Sequence, residues 1–275
     1  MIQLPNVSIS QIVLDKLKEY QDEVDSEIDF AKKAEVAKNL FGAKNVIGDV
    51  IFNEVKTALD SMCSGARRCV YCEDSLGCEV EHIRPKSLYP ESCFSWENYV
   101  YACGLCNKRK SNKFTVFDGT THELLKITKK TLDNKNKGND VMINPRNENP
   151  MEYCKLDLEN KACRFVIIEN LGKREKAKAK YTFFTMLNLN DVPYEKIRQA
   201  RENAYSNYFN RLFIYTKFKN ELSDERKEII IQELQKEQHP TVWKEMQRYY
   251  RENWLKPIDE ELHKLFEECP ESLDW

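Results

Sequence analysis

Apolar residues recur at helical spacing over most of this chain and lose that period only in its middle. Between residues 8 and 62, Leu14, Leu17, Val24 and Ile28 mark one helical face, and Ile51, Val55 and Leu59 repeat at intervals of four. That period stacks side chains on one side of a helix. From about residue 193 helix dominates again. Pro193 suits a first helical position, and Ile197, Ala204, Tyr208, Leu212 and Tyr215 form a stripe. Two further helices are expected after Ser223 and Pro240, and a short one after Pro257. Residues 63–114 predict a hairpin and loop followed by a helix beginning near Cys106. Farther on, Val141–Asn144 and Cys163–Glu169 predict strands, with turn residues over Asn147–Pro150. The expected class is α+β, mostly helical, in four segments: helical 1–62, a compact central core 63–116, a mixed connecting region 117–190 and helical 191–275.

Composition narrows this to a globular chain. With 275 residues, 41% hydrophobic and 32% charged, it can bury a core as one large domain or two small ones. No apolar run is long enough to span a bilayer. Met1–Ser10 lacks the cationic start and apolar stretch of a secretory leader, so a cytoplasmic location is expected.

The ten cysteines carry the first chemistry. Cys69 and Cys72 form one CxxC pair, and Cys103 and Cys106 form another. Each turn presents two sulfurs to one ion, and two turns close a structural four-sulfur zinc site. A reducing compartment favours metal over disulfide for such a set; two unrelated redox or buried pairs are the alternative. Cys63, Cys78, Cys93, Cys154, Cys163 and Cys269 lack a partner at ligand spacing, with Cys78 the one rival ligand.

Of four histidines, only His82 lies between the two pairs, and Glu81 precedes it. Neighbours on a strand face opposite ways, so the carboxylate can hold a cation while the imidazole faces a water. A near-neutral imidazole suits proton abstraction, and a divalent cation can neutralise charge building on a phosphate. As a bare dipeptide, Glu-His would be read as a surface pair; its place inside the cysteine frame favours chemistry.

The strings CVYCE, EVEHIRPKSLYP and WENYVYACGLCNKRKSNKF resemble the HNH endonucleases of the His-Me finger, or ββα-metal, class, with the motif embedded in a four-cysteine knuckle. The resemblance covers about 50 residues and implies His82 as general base, Glu81 as first ligand of the catalytic metal, Asn98 as the orienting residue and Asn107 as second ligand. The family's usual last histidine is replaced by Asn107. An oxygen-lined site of this kind suits Mg²⁺ or Mn²⁺ better than Zn²⁺ or Ni²⁺. The wording is similar to the HNH subunit of Septu-type and retron-associated anti-phage systems, which implies an ABC or SMC-like ATPase as partner.

Charge locates the expected substrate path. The net value is −2, yet residues 107–138 hold nine Lys/Arg against three Asp/Glu, and residues 219–275 hold nine against fifteen. A basic strip beside the site is where phosphates should lie, with Arg84, Lys86, Arg109, Lys110 and Lys113 as candidates. The acidic C-terminal part suits a protein partner better than nucleic acid. Its aromatics, Tyr205, Tyr208, Phe209, Phe213, Tyr215 and Phe218, are read as core. The expected function is a metal-dependent HNH endonuclease, DNA favoured. The same chemistry on RNA, an inactive zinc-knuckle binding subunit, and an interaction subunit of the ATPase stay open.

Overall fold

The computed structural model describes residues 1–135, 138–159, 163–190 and 195–275. Its N-terminal region is three helices: α1 (Gln11–Asp25), α2 (Phe30–Lys44) and α3 (Val50–Ser61). Each starts where a short polar side chain accepts a first-turn amide: Ser10 from Val13, Asp29 from Lys32 and Asp49 from Phe52. Leu17, Val24, Val55 and Leu59 are buried as their spacing predicts. Ile28 is 99% exposed, because α1 stops at Asp25 and the expected face overruns it by a turn.

The centre is the ββα unit. Strand β1 (Glu79–His82) pairs antiparallel with β2 (Tyr99–Ala102), setting Glu81 opposite Val100 and His82 opposite Tyr99. Helix α4 (Gly104–Lys110) follows directly. Next, β3 (Thr115–Phe117) lies between β4 (Leu124–Lys126) and β5 (Asn139–Asp140). A second hairpin joins β6 (Cys154–Asp157) to β7 (Arg164–Ile167). The strand expected at Val141–Asn144 is displaced. β5 ends at Asp140, and Val141, Met142 and Ile143 are buried beyond it, with the Ile143 amide donating to Thr182 Oγ1 at 2.9 Å. Strands β3, β4 and β6 escape a sequence reading because three or four residues are too few to show an alternation.

Helix α5 (Lys173–Ala179) passes into a π-helical stretch, Lys180–Met186. The C-terminal region holds α6 (Glu195–Phe218), α7 (Asp224–Gln235), α8 (Pro240–Arg251) and α9 (Glu260–Glu268). Pro193 lies outside the described residues. Ser223 caps α7 and Pro240 opens α8 where expected. The stripe from Ile197 to Tyr215 is buried, as is Tyr205, whereas Phe218 is exposed.

One apolar cluster runs through all four segments. A buried polar joint also ties the C-terminal helices to the first cysteine knuckle. Glu73, next to Cys72, accepts from the Thr241 amide (3.2 Å) and hydroxyl (2.7 Å) at the start of α8. Asp74 lies 3.4 Å from Nε2 of buried His239.

Candidate active site and metal centre

The two CxxC turns meet as spacing predicts. Cys69, Cys72, Cys103 and Cys106 are buried, and their four sulfurs lie within 4.8 Å of one another. Cys72 and Cys103 are 3.9 Å apart; a tetrahedron with zinc–sulfur bonds of about 2.3 Å has edges of about 3.8 Å. The donor set and its size fit a structural zinc ion. Cys103 also caps α4, its sulfur accepting from the Cys106 amide at 3.4 Å, so the knuckle sets where that helix begins. Cys78 is exposed and outside this cluster. Burial pushes the thiols of Cys63, Cys93 and Cys154 up to about 12, which suits inert packing groups.

His82 ends β1 and is buried. Its Nε2 is 2.9 Å from the carbonyl oxygen of Cys93. A carbonyl only accepts, so Nε2 carries the proton and Nδ1 keeps its lone pair. The Tyr99 hydroxyl donates to the same oxygen at 2.7 Å. Phe41 of α2 meets the imidazole edge-on at 4.5 Å between ring centres, and Tyr99 does so at 5.2 Å. Burial holds the His82 pKa well below its usual value near 6.5; the Lys86 and Lys110 charges add to this, and the Cys93 hydrogen bond opposes it. The imidazole is therefore neutral at pH 7 and able to take a proton.

Asn98 clamps the loop that follows. Its Oδ1 accepts from the Arg84 amide at 2.7 Å, and its Nδ2 donates to the carbonyls of Arg84 and Ser92, both at 3.0 Å. Its own carbonyl accepts from the Ile83 amide at 2.9 Å. All four bonds fix the segment that carries the Cys93 carbonyl and leads away from His82.

Glu79 and Glu81 share a face of β1, two residues apart. Together with His82, Lys86, Asn107 and Lys108 they line a cavity of about 390 Å³. The Asn107 amide nitrogen donates to the Glu79 carboxylate, leaving the amide oxygen free to act as a ligand. Glu81 is engaged: its Oε1 is 2.7 Å from Lys110 Nζ, which also donates to the His82 carbonyl at 2.6 Å. Lys110 is fully buried. Glu79, Glu81 and Asn107 thus bring only oxygen ligands to the cavity, a donor set that fits a hard cation such as Mg²⁺ or Mn²⁺.

The basic candidates separate on inspection. Lys86 lines the cavity, its ammonium 4.9 Å from the centre of the Phe41 ring. Lys113 is exposed on a neighbouring groove. Arg84 forms a two-point bond with Asp140 (2.8 and 3.0 Å), and Arg109 is half-buried and partnered. Lys110 is spent inside the fold. The expected basic strip thus keeps Lys86 and Lys113 as charges free of ion pairs among the described residues, while Arg84 and Lys110 are held in ion pairs. Sequence reasoning also missed Glu79, Lys108, Phe41 and Tyr99. Glu79 carried a signal in its two-residue spacing from Glu81, and Lys108 in the basic run it shares with Arg109 and Lys110; Phe41 and Tyr99 carried none.

The model of the HNH endonuclease family matches residues 69–113, the stretch that holds both knuckles, β1, β2 and α4. Residues 69–113 are an HNH endonuclease domain. Among curated proteins, Septu protein PtuB of Bacillus thuringiensis is 39% identical over 61 residues, which is 20% of this chain and 23% of that protein. The match therefore spans under a quarter of that relative. No solved structure matches the chain. Among the described residues, no helix is long and apolar enough to cross a membrane.

Proposed function

We propose that this chain is a metal-dependent HNH endonuclease that hydrolyses phosphodiester bonds, with DNA as the favoured substrate. The observation that carries this reading is the His82 imidazole, pinned through Nε2 to the Cys93 carbonyl beside a cavity lined by Glu79, Glu81 and Asn107. In this reading Nδ1 of His82 takes a proton from the attacking water. Asn98 and Tyr99 hold the Cys93 loop, and so keep the imidazole in the competent tautomer. Lys110 braces Glu81 and the β1 backbone, while Lys86 and Lys108 meet the phosphate. Glu81 and Asn107, with Glu79 beside them, would hold a Mg²⁺ or Mn²⁺ ion, which when bound neutralises charge developing on the phosphate.

The likeness to a Septu protein supports a place in anti-phage defence, in the cytoplasm, as effector beside an ABC or SMC-like ATPase. One competing reading has its own support. The Lys110–Glu81 pair and the asparagine at 107 suit a zinc-knuckle subunit that binds nucleic acid without cutting it.

Incubating the purified chain, alone and with an adjacently encoded ATPase, with plasmid DNA and total RNA separates these readings. Mg²⁺- or Mn²⁺-dependent cleavage of DNA is expected. Cleavage confined to RNA would reassign the substrate. Zinc-loaded protein that binds but never cuts would favour the binding subunit.

A further inference from the structure

A second concavity, of about 540 Å³, adjoins the active-site cavity. The turn after α4 lines both, Asn112 the first and Lys113 the second. Lys113, Lys126 and Lys180 surround the groove; all three are exposed, and none is ion-paired with a described residue. Phe114, half-exposed Leu124 and Tyr181 give it an apolar floor, and no acidic residue lines it. The wall behind Lys180 is basic as well, since residues 173–180 hold five Lys/Arg against the lone acid Glu175. The π-helical turn that begins at Lys180 brings Lys180, Tyr181 and Thr185 to this one surface.

We infer that this groove binds the unpaired nucleotide next to the scissile phosphate of a single-stranded nucleic acid segment. The inference rests on the nuclease reading above for the position of that phosphate. Unpartnered lysines around an apolar floor complement a polyanion that carries flat apolar bases, and they match neither a neutral ligand nor an acidic peptide without aromatics. A base can lie on Leu124 and Tyr181 only when it is unstacked, so the groove takes a nucleotide from a single strand or from a locally opened stretch of duplex and favours the single strand. The volume falls within the range of about 300–1,000 Å³ typical of ligand sites.

Fluorescence anisotropy with a labelled oligothymidylate, in metal-free buffer so that nothing is cut, tests this. Lys126→Glu/Lys180→Glu should weaken binding about tenfold or more. It should also lower the log–log salt slope by about 1.4, because each phosphate contact on a single strand contributes about 0.7. Leu124→Ala should weaken binding several-fold at an unchanged slope. Zinc content and melting temperature of each variant verify folding. Wild-type affinity in the double variant, or tighter binding of a duplex than of the single strand, would overturn the groove assignment. Hydrolysis of bis(p-nitrophenyl) phosphate by the wild-type chain tests the nuclease reading separately. A chain that hydrolyses this small diester but ignores the oligonucleotide keeps its chemistry and loses the groove. One that binds through the groove but hydrolyses nothing does the reverse.

Discussion

At the scale of single residues, this site is decided by which polar groups are already committed. Lys110 is the clearest case. In the sequence it belongs to a basic run, Lys108-Arg109-Lys110, and reads as a phosphate contact; in the fold it is wholly buried against Glu81, 29 positions away. No local pattern exposes such a pairing, because the strand and helix that create it are joined only by the tertiary fold. Removing one member of a buried pair strands the other charge, at about 3–5 kcal/mol. Lys110→Met should therefore lower stability in urea unfolding by that order, and Glu81→Met/Lys110→Met should recover most of it. A surface phosphate contact would instead leave stability unchanged and weaken substrate binding. His82 and Glu81 stood out in the sequence through their place inside the cysteine frame, and Asn98 through the HNH resemblance. Tyr99 and the Cys93 carbonyl, which fix the imidazole, were not; one is an ordinary strand aromatic and the other a backbone atom.

At the scale of elements, the knuckle and the N-terminal helices bear on the site from opposite sides. The cysteine spacing left room for a hairpin and loop between the two turns, and the HNH resemblance implied the helix that completes the ββα unit. Cys106→Ser should reduce bound zinc from one equivalent to none, measured by mass spectrometry of the metal. It should also abolish the cooperative melt of the central region, since structural zinc contributes folding free energy outright. The role of α2 could not be read in advance. Its apolar face predicts burial but not what it covers, and Phe41 turns out to pack on His82 itself. Phe41→Ala should cost about 3–5 kcal/mol. In the folded fraction it should lower kcat more than it raises KM, because the imidazole loses its packing while the cavity keeps its charges. An equal loss with every substrate and no kcat change would make Phe41 a core residue only.

For the whole molecule, the acidic C-terminal helices are joined to the metal-binding core through the buried polar groups of Glu73, His239 and Thr241, with part-exposed Asp74 beside them. The stripe from Ile197 to Tyr215 and the start signals at Ser223 and Pro240 made those helices legible, but the joint was hidden, since residues 73 and 241 meet only in the fold. His239 has its pKa lowered below 6.5, first by burial and further by Arg201, against the raising effects of Asp74 and Glu73. Above pH 6.5 the folded and unfolded histidines are both neutral. Below it the unfolded chain binds the proton more readily, so stability falls as pH drops, by up to about 1.4 kcal/mol per pH unit. His239→Asn, whose side chain tolerates the positive φ of 55° at this position, should flatten unfolding free energy against pH between about 6.5 and 5. Parallel curves for the two proteins would remove His239 from the acid response.

The central claim is that His82 acts on a water within an HNH domain whose zinc is structural. It is tested most directly by comparing wild-type and His82→Ala proteins for Mg²⁺-dependent plasmid cleavage and zinc content in one preparation. Cleavage should fall by at least about a hundredfold in the variant, the low end for a general base, with one zinc retained and the melting transition still cooperative. Cleavage that survives the substitution, or zinc that leaves with the imidazole, would contradict it.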